Sequence, residues 1–157
     1  MTPSQTAPTE PPAGQALRLE EQLCFAVHAA SRAYDGIYRA LLKKSGLTYP
    51  QYLVMLVLWQ HGPLSVKELG SYLRLDSGTL SPLVRRLESA GLVRRVRSAQ
   101  DERSVIVHLT ESGRAMRTTI DDVPRAIGKA TGLTMPAAMA LLADLNTLTA
   151  SLEAAAS

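Results

Sequence analysis

Residues 65–109, SVKELGSYLRLDSGTLSPLVRRLESAGLVRRVRSAQDERSVIVHL, leave little freedom in how this chain can fold. Ser65 can cap a helix, and Glu68 three residues later completes a capping box that satisfies two free backbone N–H groups. Asp76 or Ser77 starts a second helix whose Leu80, Leu83, Val84 and Leu87 recur at helical spacing, and Gly91 ends it where a left-handed residue is cheapest. Residues 94–97 and 105–109 are β-like runs, and 98–104 between them is too polar for a core. Helix, tight turn, helix, then a two-stranded hairpin is the order of a winged helix-turn-helix, so nucleic acid is the first partner to test.

Charge agrees with that order. Within 85–103, arginines 85, 86, 94, 95, 97 and 103 face only Glu88, Asp101 and Glu102, so this segment alone carries the whole net charge of +3. The other eleven basic and eleven acidic residues cancel. Charge confined to one motif suits a polyanion docking there, or else a solvated arginine face on an ordinary hairpin; its coincidence with the motif favours the polyanion.

Leu and Ala dominate the rest of the chain, and Phe25 and Trp59 are the sole aromatics besides tyrosine, which favours a mainly helical protein. Residues 1–16 hold four prolines and almost no large apolar side chain, which predicts a disordered tail. A long helix is expected over 17–44, with Leu23, Val27, Ala30, Tyr34, Ile37 and Leu41 forming an apolar seam that Gly46 ends. Thr48, Pro50 and Gln51 restart a helix, and the run YLVMLVLW, apolar on every face, predicts that it is central and buried. Thr110 and Thr134 cap two further helices; Pro124 interrupts the first, and Met139, Leu142, Leu145, Leu148 and Leu152 stripe the second. The two terminal seams can bury each other in a monomer or pair two copies, and helix-turn-helix proteins commonly pair across two half-sites about 34 Å apart.

The expected class is therefore mainly α with a small β-hairpin: a winged helix-turn-helix lobe over 49–109, flanked by dimerisation helices at 17–45 and 111–155, in one domain over 17–155. A single cysteine permits no intrachain disulfide and suits a reducing cytoplasm. No apolar run approaches the roughly 20 residues of a membrane span, and three scattered histidines predict no metal site and no cofactor.

In the DNA-reading arrangement the head of the second helix meets base edges with Ser77, Gly78, Thr79, Ser81 and Pro82, all small enough for close approach. Arg85 lies on the polar face, Arg86 nearer the flank where phosphates pass, and Arg95 adds to the cationic hairpin. Arg103 in the loop suits a narrow minor groove, and Asp101 makes sense there if it pairs with Arg103 and fixes its direction.

Cys24 is either a small buried hydrophobe or a reactive thiol. His28, Ser31, Asp35 and Tyr38 make its helical face polar, whereas Glu20 and Glu21 disfavour a thiolate. Tyr38 lies 14 residues on, about 21 Å along a helix, so it cannot reach its own Cys24 but can reach that of an antiparallel partner helix.

LEEQLCF, TYPQYLVMLVLW, LDSGTLSPLVRRLESAGLVRR and DERSV together resemble the organic hydroperoxide resistance regulators of the MarR family, over about residues 17–155. The resemblance implies a homodimeric repressor of one-cysteine type that binds a palindromic double-stranded DNA operator and senses organic hydroperoxide at Cys24. It also implies that Tyr38 and Tyr49 of the other subunit hydrogen-bond the thiolate, that 77–89 reads the bases, and that Asp101 and Arg103 sit in the wing. Two departures stand out. His28 occupies the position of a frequent third tyrosine, where it either bonds the thiolate or is an ordinary polar side chain. No resolving cysteine exists, so a sulfenic acid must pass to a mixed disulfide with a small cellular thiol or to overoxidation. The rival readings are a repressor released by a small phenolic or aromatic ligand, and a thiol enzyme using Cys24 and His28; no Gly-rich turn or oxyanion nest supports the enzyme.

Overall fold

The computed structural model describes residues 18–156, so the proline-rich 1–16 lie outside the described residues. The chain divides into two compact units between Gly36 and Ile37. The first contains a 3-10 turn, Leu19–Glu21, and most of α1, Leu23–Leu41. The expected helix start at 17 is displaced because Gln22 is extended (φ −87°, ψ 118°), while the Arg18 guanidinium folds back onto Glu20. On this unit's part of α1, Leu23, Phe25, Val27 and Tyr34 are exposed.

The second unit carries the core. Helix α1 stops at Leu41 because Leu42, fully buried, turns inward into a second 3-10 turn, Lys43–Ser45, closed by left-handed Gly46 (φ 69°). Then follow α2 (Tyr49–His61), β1 (Leu64–Ser65), α3 (Val66–Leu73), α4 (Ser77–Ser89), β2 (Val93–Arg97), β3 (Val105–Leu109), α5 (Glu111–Thr119), α6 (Val123–Ala130) and α7 (Met135–Ala155). Helix α2 begins with the expected box, the Thr48 N–H donating to Gln51 Oε1 at 2.9 Å. It buries Tyr52, Val54, Met55 and Leu58 but leaves Leu56 37% exposed, so it is central on one side only. Its other side lines an open recess with Arg117, Ile120, Asp121 and Pro124.

The sheet has three strands rather than two, in the order β1-β3-β2 and antiparallel throughout. The hairpin register runs from Val93 opposite Leu109 to Arg97 opposite Val105, and β1 pairs the other edge of β3 through Leu64 opposite Val107. Alternation puts Val93 and Val107 on the core side, where they meet Leu69, Leu80, Val84 and Leu87.

Two glycines make the packing possible. A Cβ on Gly70 would come within 2.6 Å of the Leu75 carbonyl oxygen, so the α3–α4 turn closes tightly only with glycine there. A Cβ on Gly113 would lie 2.0 Å from the Leu92 carbonyl oxygen, where α5 crosses the end of the hairpin, and the Trp59 indole N–H donates to the Gly113 carbonyl at 2.9 Å. The expected break at Pro124 is present between α5 and α6. Helix α7 buries no side chain: Met135, Met139, Leu142, Leu145 and Leu152 are all exposed, as is Ile37 on α1.

Candidate nucleic-acid interface and thiol

The reading head is assembled from local hydrogen bonds. Ser65 Oγ accepts from the Glu68 N–H (3.2 Å), while the Glu68 carboxylate accepts from the Ser65 hydroxyl (2.7 Å) and the Ser65 N–H (2.7 Å); the hydroxyl first, then the N–H, hold the Glu68 carboxyl below its usual range. Asp76 caps α4 by accepting from the Thr79 N–H at 2.8 Å and from the Thr79 hydroxyl at 2.9 Å. The Thr79 backbone N–H first, then its hydroxyl, pull the Asp76 carboxyl down. With its proton committed to Asp76, the Thr79 hydroxyl faces a ligand as an acceptor.

Leu80, Val84 and Leu87 are fully buried, which turns Gly78, Pro82, Arg85 and Arg86 outward on the opposite side of α4. Pro82 has no N–H to give the Gly78 carbonyl four residues earlier, so α4 presents a backbone acceptor on that outward face. Ser77 and Ser81 take the side toward the hairpin, where they line a cleft of about 350 Å³ with Val84, Arg95, Asp101, Arg103 and Lys67. The structure thus brings the small hydroxyls of the helix head and the loop arginine into one concavity. Lys67 was not singled out by the sequence, although its place in the first turn of α3 was the available signal.

The arginines are not equivalent. Arg95 is bound to Glu88, Nε to Oε2 at 2.8 Å and N–H to Oε1 at 3.0 Å, and these bonds, the backbone one foremost, lower the Glu88 carboxyl. It therefore fastens β2 to α4 at the cleft wall. Arg85, Arg86 and Arg103 are exposed and form no ion pair with any described residue. Asp101 was expected to hold the Arg103 side chain; instead its Oδ1 accepts the Arg103 backbone N–H at 3.0 Å. The Ser104 N–H to Asp101 carbonyl bond (2.8 Å) and the Ser98 N–H to Ser104 carbonyl bond (2.9 Å) close the loop around it. A carboxylate spent on the backbone shapes the loop tip and leaves the guanidinium available.

Cys24 and His28 are both exposed, one turn apart on α1. In the second unit Tyr38 and Tyr49 stack with ring centroids 4.3 Å apart and planes at 26°, and Tyr52 stands 5.7 Å from Tyr38. Burial first, then the neighbouring Tyr49, raises the Tyr52 hydroxyl above its ordinary range. Tyr52 was missed by the sequence reading, though its i, i+3 spacing from Tyr49 was visible. Among the described residues no group of His, Cys, Asp and Glu could hold a metal ion, and no single helix is long and apolar enough to cross a membrane.

Residues 36–120 match the family model for the transcriptional regulator SarA/Rot. The chain is 51% identical over 138 residues to the HTH-type transcriptional regulator TtmR of Methylorubrum extorquens, covering 88% of this chain and 71% of that protein. It is 49% identical over 111 residues to the organic hydroperoxide resistance transcriptional regulator of Bacillus subtilis, covering 71% and 76%. Among solved structures, reduced AbfR bound to DNA, from Staphylococcus epidermidis, superposes with a TM-score of 0.73 at 34% identity, covering 85% of this chain and 94% of that one.

Proposed function

Because the chain belongs to the family of MarR- and SarA-type winged-helix transcriptional regulators that includes the organic hydroperoxide resistance regulators, we propose that it is a DNA-binding repressor controlled by oxidation of Cys24. The observation that carries the DNA-binding half is the cleft in which Ser77 and Ser81 meet Arg103 and Lys67 beside an outward face bearing Arg85 and Arg86. Serine, threonine and glycine at the helix head approach base edges, Arg85 and Arg86 meet phosphates, and Arg103 enters the adjoining minor groove. The exposed apolar faces of α1 and α7 support a homodimer, which would place two reading heads on a palindromic operator.

The oxidation half rests on the exposure of Cys24 and on the relatedness to a hydroperoxide resistance regulator. The Cys24 thiolate attacks the outer oxygen of an organic hydroperoxide; the O–O bond breaks, leaving a sulfenic acid and an alcohol. A small cellular thiol then displaces water from the sulfenic acid to give a mixed disulfide, since the chain has no second cysteine. In this reading Tyr38 and Tyr49 of the partner subunit hydrogen-bond the thiolate, with His28 a further donor; thiolation removes those bonds, adds bulk and changes the spacing of the two reading heads. The action is a cytoplasmic one, on DNA, and consumes peroxide stoichiometrically rather than by turnover.

The test is a gel shift on the DNA upstream of the protein's own coding sequence, with and without cumene hydroperoxide plus a small thiol. Wild type should bind and be released, whereas Cys24→Ser should bind and stay bound; release of Cys24→Ser by peroxide removes the cysteine from the switch. One observation favours a second reading, release by a small aromatic acid. The recess of about 500 Å³ between α2 and the α5–α6 break has Tyr52 and Trp59 as walls and Arg117 at its rim. Ligand-induced release surviving in Cys24→Ser would establish it.

A further inference from the structure

Arg74 is the one non-glycine described residue with a left-handed backbone (φ 54°, ψ 40°), a conformation L side chains adopt at a cost. It occupies the turn between α3 and α4, two residues before the Asp76 cap of the reading helix. Its guanidinium reaches an element 79 residues away, with Nη1 2.5 Å from both carboxylate oxygens of Glu153, in the last turn of α7.

Helix α7 has no buried side chain, so core packing does little to hold it to the lobe. On the lobe side the turn is stiff. The Leu75 N–H donates to the Gly70 carbonyl at 3.0 Å, glycine is required at 70 by the approach of the Leu75 carbonyl, and Asp76 binds Thr79 twice. A displacement of Arg74 is therefore carried into the head of α4 as a body, not absorbed by the turn.

We infer that the Arg74–Glu153 ion pair is a positioning contact that fixes the reading helix relative to α7, and through it sets the spacing between the two reading heads of a dimer. The inference rests on the dimeric, two-half-site reading above. Arg74 and Glu153 act here through α4, without touching DNA.

The experiment uses the full-length reduced protein and two duplexes: a footprinted operator and the same duplex with one half-site scrambled. Glu153→Gln and Arg74→Gln should each lower affinity for the intact operator about 3- to 10-fold, two exposed ion pairs being lost per dimer. Both should leave affinity for the scrambled duplex unchanged. The charge-exchanged double variant Arg74→Glu/Glu153→Arg should regain operator affinity and the wild-type preference among operators with half-site spacing altered by one base pair. Equal losses on both duplexes would overturn the inference, because they report a phosphate contact or a damaged lobe; no loss on either would overturn it too. A wild-type protein that sediments as a monomer, or binds both duplexes alike, refutes the two-half-site reading itself and this inference with it.

Discussion

Replacing Arg103 by alanine isolates what the loop contributes. The Asp101 carboxylate holds the Arg103 N–H and not its guanidinium, so the substitution removes a charge while keeping the bond that shapes the loop. Each arginine that neutralises one phosphate contributes about 0.9 to the slope of log affinity against log salt, so a dimer losing two should bind with a slope shallower by about 1.8. Between about 50 and about 200 mM salt, the ratio of wild-type to variant affinity should then shrink roughly tenfold. Fluorescence anisotropy on a labelled operator across a salt titration measures this directly. Arg95→Ala is the internal control: its guanidinium is already neutralised by Glu88, so its slope should change far less than that of Arg103→Ala. An unchanged slope for Arg103→Ala, or the same change for both variants, would refute the assignment of Arg103 as the wing's DNA contact.

Gly113→Ala should cost at least about 2 kcal/mol in urea unfolding, since its Cβ would overlap the Leu92 carbonyl and one of two backbones must move. Gly128→Ala, in α6 with open space around the new methyl, should instead gain about 0.5–1 kcal/mol. His108 faces Arg94 across the strands and is held below its ordinary range by burial first, then by Arg94 and Arg114. The unfolded chain therefore takes up the proton first as pH falls below about 6.5, so stability should fall through that window and level off below the folded-state value. His108→Gln should flatten that part of a urea-midpoint profile between about pH 7.5 and 5. Asp76, Glu88 and Glu68 are also lowered and act with the same sign in a more acidic window: their carboxylates contribute stability that is present above the ordinary carboxylate range and is lost as acid protonates them in the folded protein. An Asp76→Asn variant keeps a capping oxygen and should lose the Asp76 share of this acid sensitivity, seen by circular dichroism below about pH 4.

Caps and turns were legible because they act over three or four residues: Ser65 with Glu68, Thr48 with Gln51, Asp76 with Thr79 and Thr110 with Gly113 are each local bonds. Strand β1 was not, since two residues show no alternation and only the far edge of β3 makes them a strand. The roles of Gly70 and Gly113 depend on carbonyls that the fold brings close, and Trp59 finds its acceptor 54 residues away. In the candidate site, counting charge found the arginine cluster but could not sort it. Glu88 meets Arg95 across a helix-to-strand corner, and Asp101 spends its carboxylate on a backbone N–H. The helix start at 17 failed for a similar reason: the apolar period continues toward the N-terminus, but Gln22 breaks the backbone.

The uncovered leucines and methionines of α7 bear on how gene dosage sets repression. If two copies are needed to hide that face, the working species scales with the square of chain concentration while chains are scarce. Halving expression would then leave about a quarter of the paired form when pairing is weak. The switch would thus be sharpened by supply as well as by chemistry, and a modest drop in synthesis would relieve repression without a single thiol being oxidised.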